Sequence, residues 1–182
     1  MPPARRYILQ GVRTLAVMVG LAVLWPLAAE GYDGLVVRLA LVPRGIVLRA
    51  TEDQVRVEFL GQAPVAWLNI HGFIMHFGLI LVLALVAATP GLALPRLALG
   101  VAATAVLAPV AHALGLTAWL WALSAALGAG ASLATFERLM TGFAVFWGVV
   151  PIVVGGVWCY RFWLPALRRE PVRALRRSGR RR

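Results

Sequence analysis

Four long apolar runs dominate the pattern of hydrophobic and polar positions along the chain. Each run approaches the ~20 residues that a helix needs to cross the hydrocarbon core of a bilayer. Prolines occur inside three of them, and membrane helices tolerate proline when neighbouring helices satisfy the freed backbone groups. The pattern therefore predicts an all-α polytopic membrane protein with about four transmembrane helices, at residues 12–29, 67–89, 97–116 and 139–160.

A further apolar stretch, residues 117–136, has two interpretations. Trp119 and Trp121 suit a position at the membrane–water interface, and Gly128 and Gly130 weaken a continuous helix. These features favour an external interfacial or re-entrant helix followed by a break. The alternative is a fifth membrane span, which would separate the two arginine-rich ends of the chain across the membrane.

The hydrophobic period changes in the segment between the first two runs, residues 30–66, which we expect to lie outside the membrane. Residues 54–59 alternate strictly between polar and apolar, which is typical of a half-buried strand. Residues 45–49 are a plausible partner strand, joined to the first through a turn at 51–53. The sequence therefore predicts a small external β-hairpin within residues 45–60.

Composition and charge support placement in a membrane. The chain is 61% hydrophobic, with a mean hydropathy of +0.82. Of its net charge of +11, residues 161–182 supply +8, from nine arginines and one acid. A basic tail directly after an apolar run indicates a cytoplasmic end and contact with anionic lipid headgroups. We expect membrane lipids, and no nucleic acid, to be the partners of this tail.

The same rule orients the remainder of the chain. Residues 1–11 carry Arg5 and Arg6, so both termini are predicted to be cytoplasmic, in the inner membrane of a bacterium. Six of the seven acidic residues, Asp33 among them, then lie outside, and no carboxylate is expected within a span. The first run could also be a secretory signal, but residues 26 and 27 give poor cleavage sites, which favours an uncleaved anchor.

Three histidines, His71, His76 and His112, lie near the predicted outer ends of the second and third runs. Together they could bind a metal or a haem. His71 and His76 are five positions apart, however, so they lie about 140° apart around a helix and do not share a face. We therefore expect no metal and no other cofactor. The single cysteine, Cys159, is interpreted as a small apolar filler, and no catalytic residue is predicted.

The candidate partner-binding residues all lie near the predicted outer surface. Asn69 begins the second run, where it could cap the helix or bind the backbone of a partner, and the cap is favoured. The other candidates are the two tryptophans of the interfacial stretch and the charged residues before the last run: Trp119, Trp121, Glu137 and Arg138.

Residues 67–90, which read WLNIHGFIMHFGLILVLALVAATP, carry a resemblance to a known family. Asn69, Gly78-Leu79 and Ala88-Thr89-Pro90 resemble the motif of the exosortase H-associated membrane proteins. The prolines expected after Asn69 and after Leu79 are here Ile70 and Ile80. The layout of anchor, outer strands, apolar hairpin, final span and basic tail is also similar. The resemblance implies a non-catalytic accessory protein of an exosortase, a membrane enzyme that processes C-terminal sorting signals.

Two leading functional hypotheses follow, beside a third, an enzyme acting within the membrane, which single alanine replacements of Cys159, His71, His76 and His112 would test. The first is a non-enzymatic accessory subunit of a bacterial inner-membrane protein processing and sorting system, with another, exosortase-like membrane protein as partner. The alternative is an integral subunit of a respiratory or transport complex, with His76 and His112 near a haem or metal. A charged line through the spans, which ion or proton transport would require, is absent from the predicted spans.

Overall fold

The computed structural model describes residues 3–51, 54–60 and 66–167. The described chain is mostly helical, with one small sheet. A π-helical turn, Cys159–Trp163, continues the last helix. In chain order the elements are α1 (Pro3–Leu24), α2 (Pro26–Leu39), β1 (Ile46–Thr51), β2 (Gln54–Phe59), β3 (Ala66–His71), α3 (Gly72–Ala87), α4 (Leu94–Gly128) and α5 (Leu133–Trp158).

Within the described ranges, three stretches of helix are long and apolar enough to cross a membrane: Tyr7–Leu24, Leu94–Gly128 and Ala134–Leu167. This confirms the coarse prediction of a largely helical protein of membrane type. The helix at the second predicted span, residues 67–89, is shorter than expected. Helix α3 has 16 residues, a rise of about 24 Å, whereas the hydrocarbon core of a bilayer is about 30 Å thick.

The prediction that a helix covers all of residues 67–89 is wrong at its start, because residues 66–71 form β3. Leu68 and Ile70 alternate with Asn69 and His71, so a period of two was present within the apolar run. Strand β3 pairs with β2, with Val57 opposite Leu68, and this buries Ile70. The cross-strand pairing outweighs the hydrophobic continuity from which the helix was predicted.

The sheet is an antiparallel meander of order β1-β2-β3. Strands β1 and β2 confirm the predicted hairpin, with Leu48 opposite Val57 and Thr51 opposite Gln54. The two other residues of the predicted turn, at 52 and 53, lie outside the described residues. Val55 and Val57 are fully buried and Phe59 nearly so, whereas the residues between them are half-buried. The predicted hairpin is therefore part of a three-stranded sheet with one apolar face.

Residues 117–128 do not form the separate interfacial helix that was predicted. They continue α4, which reaches Gly128 without interruption. Leu116, Leu120 and Leu123 form a stripe at helical spacing and are fully buried, so packing favours the continuous helix. The predicted break does occur at the glycines that were expected to weaken the helix, because α4 ends at Gly128. Gly130 has a positive φ of 65°, after which the helix α5 begins.

The apolar face of the sheet packs against α2 and the second half of α4, and the aromatic side of α5 completes this core. The core lies at one end of the long helices, which we call the sheet end. Helix α4 has 35 residues and rises about 52 Å, more than a bilayer core requires. The length of α4 therefore accommodates both an apolar span and a part that packs under the sheet. Buried members of this core include Val36, Val55, Val57, Leu116, Leu120 and Trp147.

Candidate functional site

The sheet end contains a cluster of buried polar and aromatic side chains, which we call the buried polar cluster. It consists of Trp25, Tyr32, Asp33, His76, His112 and Trp147, drawn from the α1–α2 corner and from α2, α3, α4 and α5. Its most unusual member is Asp33. The buried residues of α2 are Ala29, Asp33 and Val36, which is the spacing of an apolar helix face. A carboxylate thus occupies the centre of a stripe that faces the core.

Asp33 pairs with His76 across the α2–α3 interface. The distance from His76 Nε2 to Asp33 Oδ1 is 2.7 Å, Asp33 has no exposed surface, and His76 is 5% exposed. A buried carboxylate without a partner is strongly unfavourable, so this pairing is what permits an acid at this position. The other carboxylate oxygen, Oδ2, makes no hydrogen bond to any residue that the structure describes.

Tyr32, the neighbour of Asp33, joins α2 to α4. Its hydroxyl group lies 2.6 Å from His112 Nδ1, and His112 is 7% exposed. Burial, with a smaller contribution from the nearby Asp33 carboxylate, raises the pKa of Tyr32 well above its usual value. The imidazole of His112 also contacts the edge of the Trp147 ring, at 4.1 Å between ring centroids. The cluster therefore connects α2, α3, α4 and α5.

The geometry limits the chemistry that the cluster can perform. One nitrogen of each imidazole is engaged: Nε2 of His76 by Asp33 and Nδ1 of His112 by Tyr32. Within the described ranges, no group of three or more His, Cys, Asp or Glu residues is placed to hold a metal ion. The arrangement can share protons within each hydrogen-bonded pair, and it fixes the positions of four helices relative to one another.

The structure brings two of the three predicted histidines together. His76 and His112 both contact the ring of Tyr32, each at 5.7 Å between ring centroids. His71 ends β3, and its side chain lies outside the described residues. Asp33 was predicted only to be one of the acids outside the membrane, and its burial within the protein was not expected. The signal that could have found it is the spacing of Asp33 from Ala29 and Val36.

Asn69 does not cap a helix. It lies in the middle of β3, opposite Arg56 of β2. The backbone is extended there, so no helix begins at Asn69. Its side-chain oxygen Oδ1 is buried and has no hydrogen-bond partner among the described residues. The prediction of a helix cap is therefore wrong, and the prediction of partner binding stays untested.

The two predicted interfacial tryptophans have different environments. Trp119 is 6% exposed and packs against Phe143 of α5, at 4.7 Å between ring centroids. Trp121 is exposed and donates its indole N–H to the carbonyl of Leu41, at 3.2 Å. The backbone N–H of Leu41 donates in turn to the hydroxyl of Thr117, at 2.9 Å. These bonds tie the segment after α2 to α4.

Glu137 and Arg138, the charged pair that was predicted to precede the last span, lie within α5 and are exposed. Helix α5 begins earlier than predicted, at Leu133. Its N-terminus is capped by the side chain of Ser132, which accepts a hydrogen bond from the Thr135 backbone N–H. Adjacent residues of a helix point in different directions, so Glu137 and Arg138 face different surroundings.

A second set of polar contacts lies at the opposite end of the helices. Trp158 and Trp163 both donate their indole N–H groups to the hydroxyl of Thr89, at 2.8 and 3.1 Å. Residues five apart in an α-helix lie about 140° apart, and the π-helical turn at 159–163 brings both rings to one side. We call Thr89, Trp158 and Trp163 the Thr89 cluster.

Helix α3 is held to its neighbours by the residues that carry the sequence resemblance. A Cβ atom on Gly78 would lie 2.2 Å from the Pro151 ring, so α3 and α5 touch closely there. The Gln10 amide of α1 donates to the carbonyl of Ala88, and Thr89 accepts the two indole bonds. Gly78, Ala88 and Thr89 therefore pack helices together.

Comparisons with protein-family models, with curated proteins and with solved structures gave no match to this chain. The class of protein is therefore defined by the fold of its described residues, which are mostly helical, with three helices of membrane-spanning length and a three-stranded sheet at one end.

Proposed function

We propose that four helices of this chain cross the bacterial inner membrane, with α1 leading outward, α3 returning, and α4 and α5 repeating the path. Gln10 bonds to Ala88, directly after α3, and Trp163 bonds to Leu85 in the last turn of α3. The start of α1 and the π-helical turn that follows α5 therefore lie at the same end of the helices. This arrangement supports an even number of crossings and both termini on the cytoplasmic side.

The short length of α3 is compatible with a crossing. Its contacts are with α5, α1 and α4, and Leu79, Ile80, Ala84 and Val86 are buried. A helix surrounded by other helices need not span the full hydrocarbon core, because protein and not lipid surrounds its ends. The sheet would then lie outside, and the tail at 168–182, which lies beyond the described residues, would lie at the cytoplasmic surface.

For this membrane protein, we infer a role as a non-enzymatic accessory subunit of a protein processing and sorting system, with an exosortase-like enzyme as partner. The observation that carries this inference is the use of the motif residues. Gly78, Ala88 and Thr89 support the resemblance, and all three are engaged in helix packing. Residues that position helices suit a scaffold better than a catalyst.

The buried polar cluster is consistent with the same role. Asp33, His76 and His112 are each less than a tenth exposed, and their pairs join helices. A reacting group needs access to its substrate in a suitable geometry, and these contacts instead occupy the groups with one another. The cluster therefore supports a structural interpretation of the histidines.

Purification of the tagged full chain in a mild detergent, from a bacterium that encodes it, tests the proposal. We expect a second membrane protein, of exosortase type, to be recovered in near-stoichiometric amount. The isosteric variant Thr104→Val is the control and should recover the same partner, since the described contact of the Thr104 hydroxyl is with a carbonyl of its own helix. A monodisperse chain without any partner would contradict the accessory role.

The same preparation tests the alternative role in a respiratory or transport complex. That role requires a haem or metal near His76 and His112. An absorption spectrum with haem bands, or a stoichiometric metal content that is lost in a His112→Gln variant, would replace the accessory proposal. A colourless, metal-free complex with a processing enzyme is the result that the accessory proposal predicts.

A further inference from the structure

A groove lies between α4 and α5 at the sheet end. Its floor and walls are apolar, and a single cationic side chain, that of Arg138, lies at one end. Other lining residues are Gly115, Trp119, Gly142, Phe143 and Phe146. The groove follows α5 from Arg138 to Phe146, a rise of about 12 Å.

Trp119 supplies a second, independent feature of this groove. The residue is 6% exposed, and its indole Nε1 is buried without a hydrogen-bond acceptor among the described residues. A buried indole N–H normally has a partner, and its absence calls for an explanation. This nitrogen has almost no accessible surface, so an oxygen atom of a molecule within the groove satisfies the donor when the indole turns towards it on binding.

We propose that the groove binds one anionic phospholipid from the leaflet that adjoins the sheet. The Arg138 guanidinium binds the phosphate of the headgroup, the Trp119 indole donates to an ester carbonyl oxygen, and one acyl chain lies along Phe143 and Phe146. This site is separate from the proposed enzyme partner, and it does not involve the basic tail.

The charges and the position agree with this occupant. Arg138 is exposed, and it lies in the helical segment Ala134–Leu167, which is apolar enough to cross a membrane. Arginine binds phosphate oxygens with paired, charge-assisted hydrogen bonds. The acidic neighbour Glu137 is about 100° away around the helix and so does not neutralise this end of the groove.

Lipid retention by the purified full chain tests the proposal. The protein is placed in bilayer discs of phosphatidylcholine with a minor fraction of phosphatidylglycerol, then released into detergent and analysed by native mass spectrometry. We expect one phosphatidylglycerol to be retained in preference to phosphatidylcholine. Inorganic phosphate should not displace it, because phosphate provides no acyl chain.

Three variants assign the contacts. We expect Arg138→Gln to reduce phosphatidylglycerol retention about tenfold, and Trp119→Phe to reduce it about threefold to tenfold, by loss of one hydrogen bond. Gly142→Leu should abolish retention by filling the groove. A Cβ on Gly142 meets no atom within 4 Å, so this variant should fold. Arg44→Gln, which alters an exposed arginine outside the groove, is the matched control and should retain the lipid fully.

Two results would overturn the lipid site. Equal retention of phosphatidylglycerol by the wild type, Arg138→Gln and Gly142→Leu would show that the groove is not the binding site. If Gly142→Leu removed a protein partner and left lipid retention unchanged, the groove would be a protein interface. Neither result depends on whether the partner is an exosortase, so the two proposals can fail separately.

Discussion

The two ends of the helices are held together by different polar chemistry. At the sheet end the contacts are between ionisable groups, Asp33 with His76 and Tyr32 with His112. At the opposite end they are neutral, two indole N–H groups on the Thr89 hydroxyl. Neutral bonds avoid the cost of placing ionisable groups in an apolar interior, whereas a buried pair of ionisable groups depends on both of its members. The sheet end should therefore be the more sensitive to single substitutions.

Loss of the Asp33 carboxylate should have the largest effect. Asp33→Ala leaves His76 buried without its partner, and breaking a buried pair in this way costs about 3–5 kcal/mol. We expect a lower free energy of unfolding in detergent and loss of protection of α2 against proteolysis. Glu30→Ala, an exposed carboxylate on the same helix, should leave both unchanged. Equal stability of the two variants would contradict the importance of the pair.

A methyl group on Gly78 should have the next largest effect. In Gly78→Ala the new Cβ would meet the rigid ring of Pro151 at 2.2 Å, and overpacking of this kind costs about 3 kcal/mol. Thermal unfolding in detergent measures the loss. Gly148→Ala is the control, because a Cβ there meets no atom within 4 Å. If both variants unfold at the same temperature, α3 and α5 do not touch closely at Gly78 and Pro151.

Removal of the Thr89 hydroxyl should have a smaller effect. Thr89→Val keeps the shape but deprives Trp158 of its acceptor and leaves Trp163 only its bond to the Leu85 carbonyl, a loss of about 1–2 kcal/mol. Unfolding and the tryptophan emission spectrum should both change. Thr104→Val, which affects a bond within one helix only, should change neither. An unchanged Thr89→Val protein would mean that the indole bonds do not stabilise this end.

The smallest effect is expected on the open face of the sheet. Arg49 Nε lies 3.3 Å from Glu58 Oε2, and the Arg49 side chain is 66% exposed. Exposed pairs contribute about 0–1 kcal/mol and are screened by salt. Arg49→Ala should therefore lower stability by less than 1 kcal/mol, with no difference in high salt. A loss comparable with that of Asp33→Ala would mean that surface charge governs the sheet.

The sequence allowed much of the helical fold to be predicted, because apolar runs of membrane length reflect a strong and local physical requirement. The strict alternation of residues 54–59 likewise predicted β2, and its partner strand followed. The third strand was missed because the alternation of Leu68 and Ile70 lies inside an apolar run, where periods of two and 3.6 are difficult to distinguish. The continuity of α4 was missed because it depends on burial of Leu120 and Leu123 by the distant sheet.

The candidate site was only partly predictable. His76 and His112 were selected as polar residues within apolar runs, and they do lie in one cluster. Their partners were not predicted, because they are distant in sequence. Asp33 lies 43 positions from His76, and Tyr32 lies 80 positions from His112. Such pairings depend on tertiary packing. The one signal in the sequence was the helical spacing of Asp33 from Ala29 and Val36, which places Asp33 on the buried face of α2.

A double-mutant cycle on Asp33 and His76 tests most directly whether a buried ionisable pair holds the sheet end. The free energies of unfolding of Asp33→Leu, His76→Leu and the double variant would be compared with the wild type in one detergent. We predict that the double variant is more stable than the sum of the single losses allows, with a coupling of about 1–3 kcal/mol. Losses that simply add would contradict the pairing.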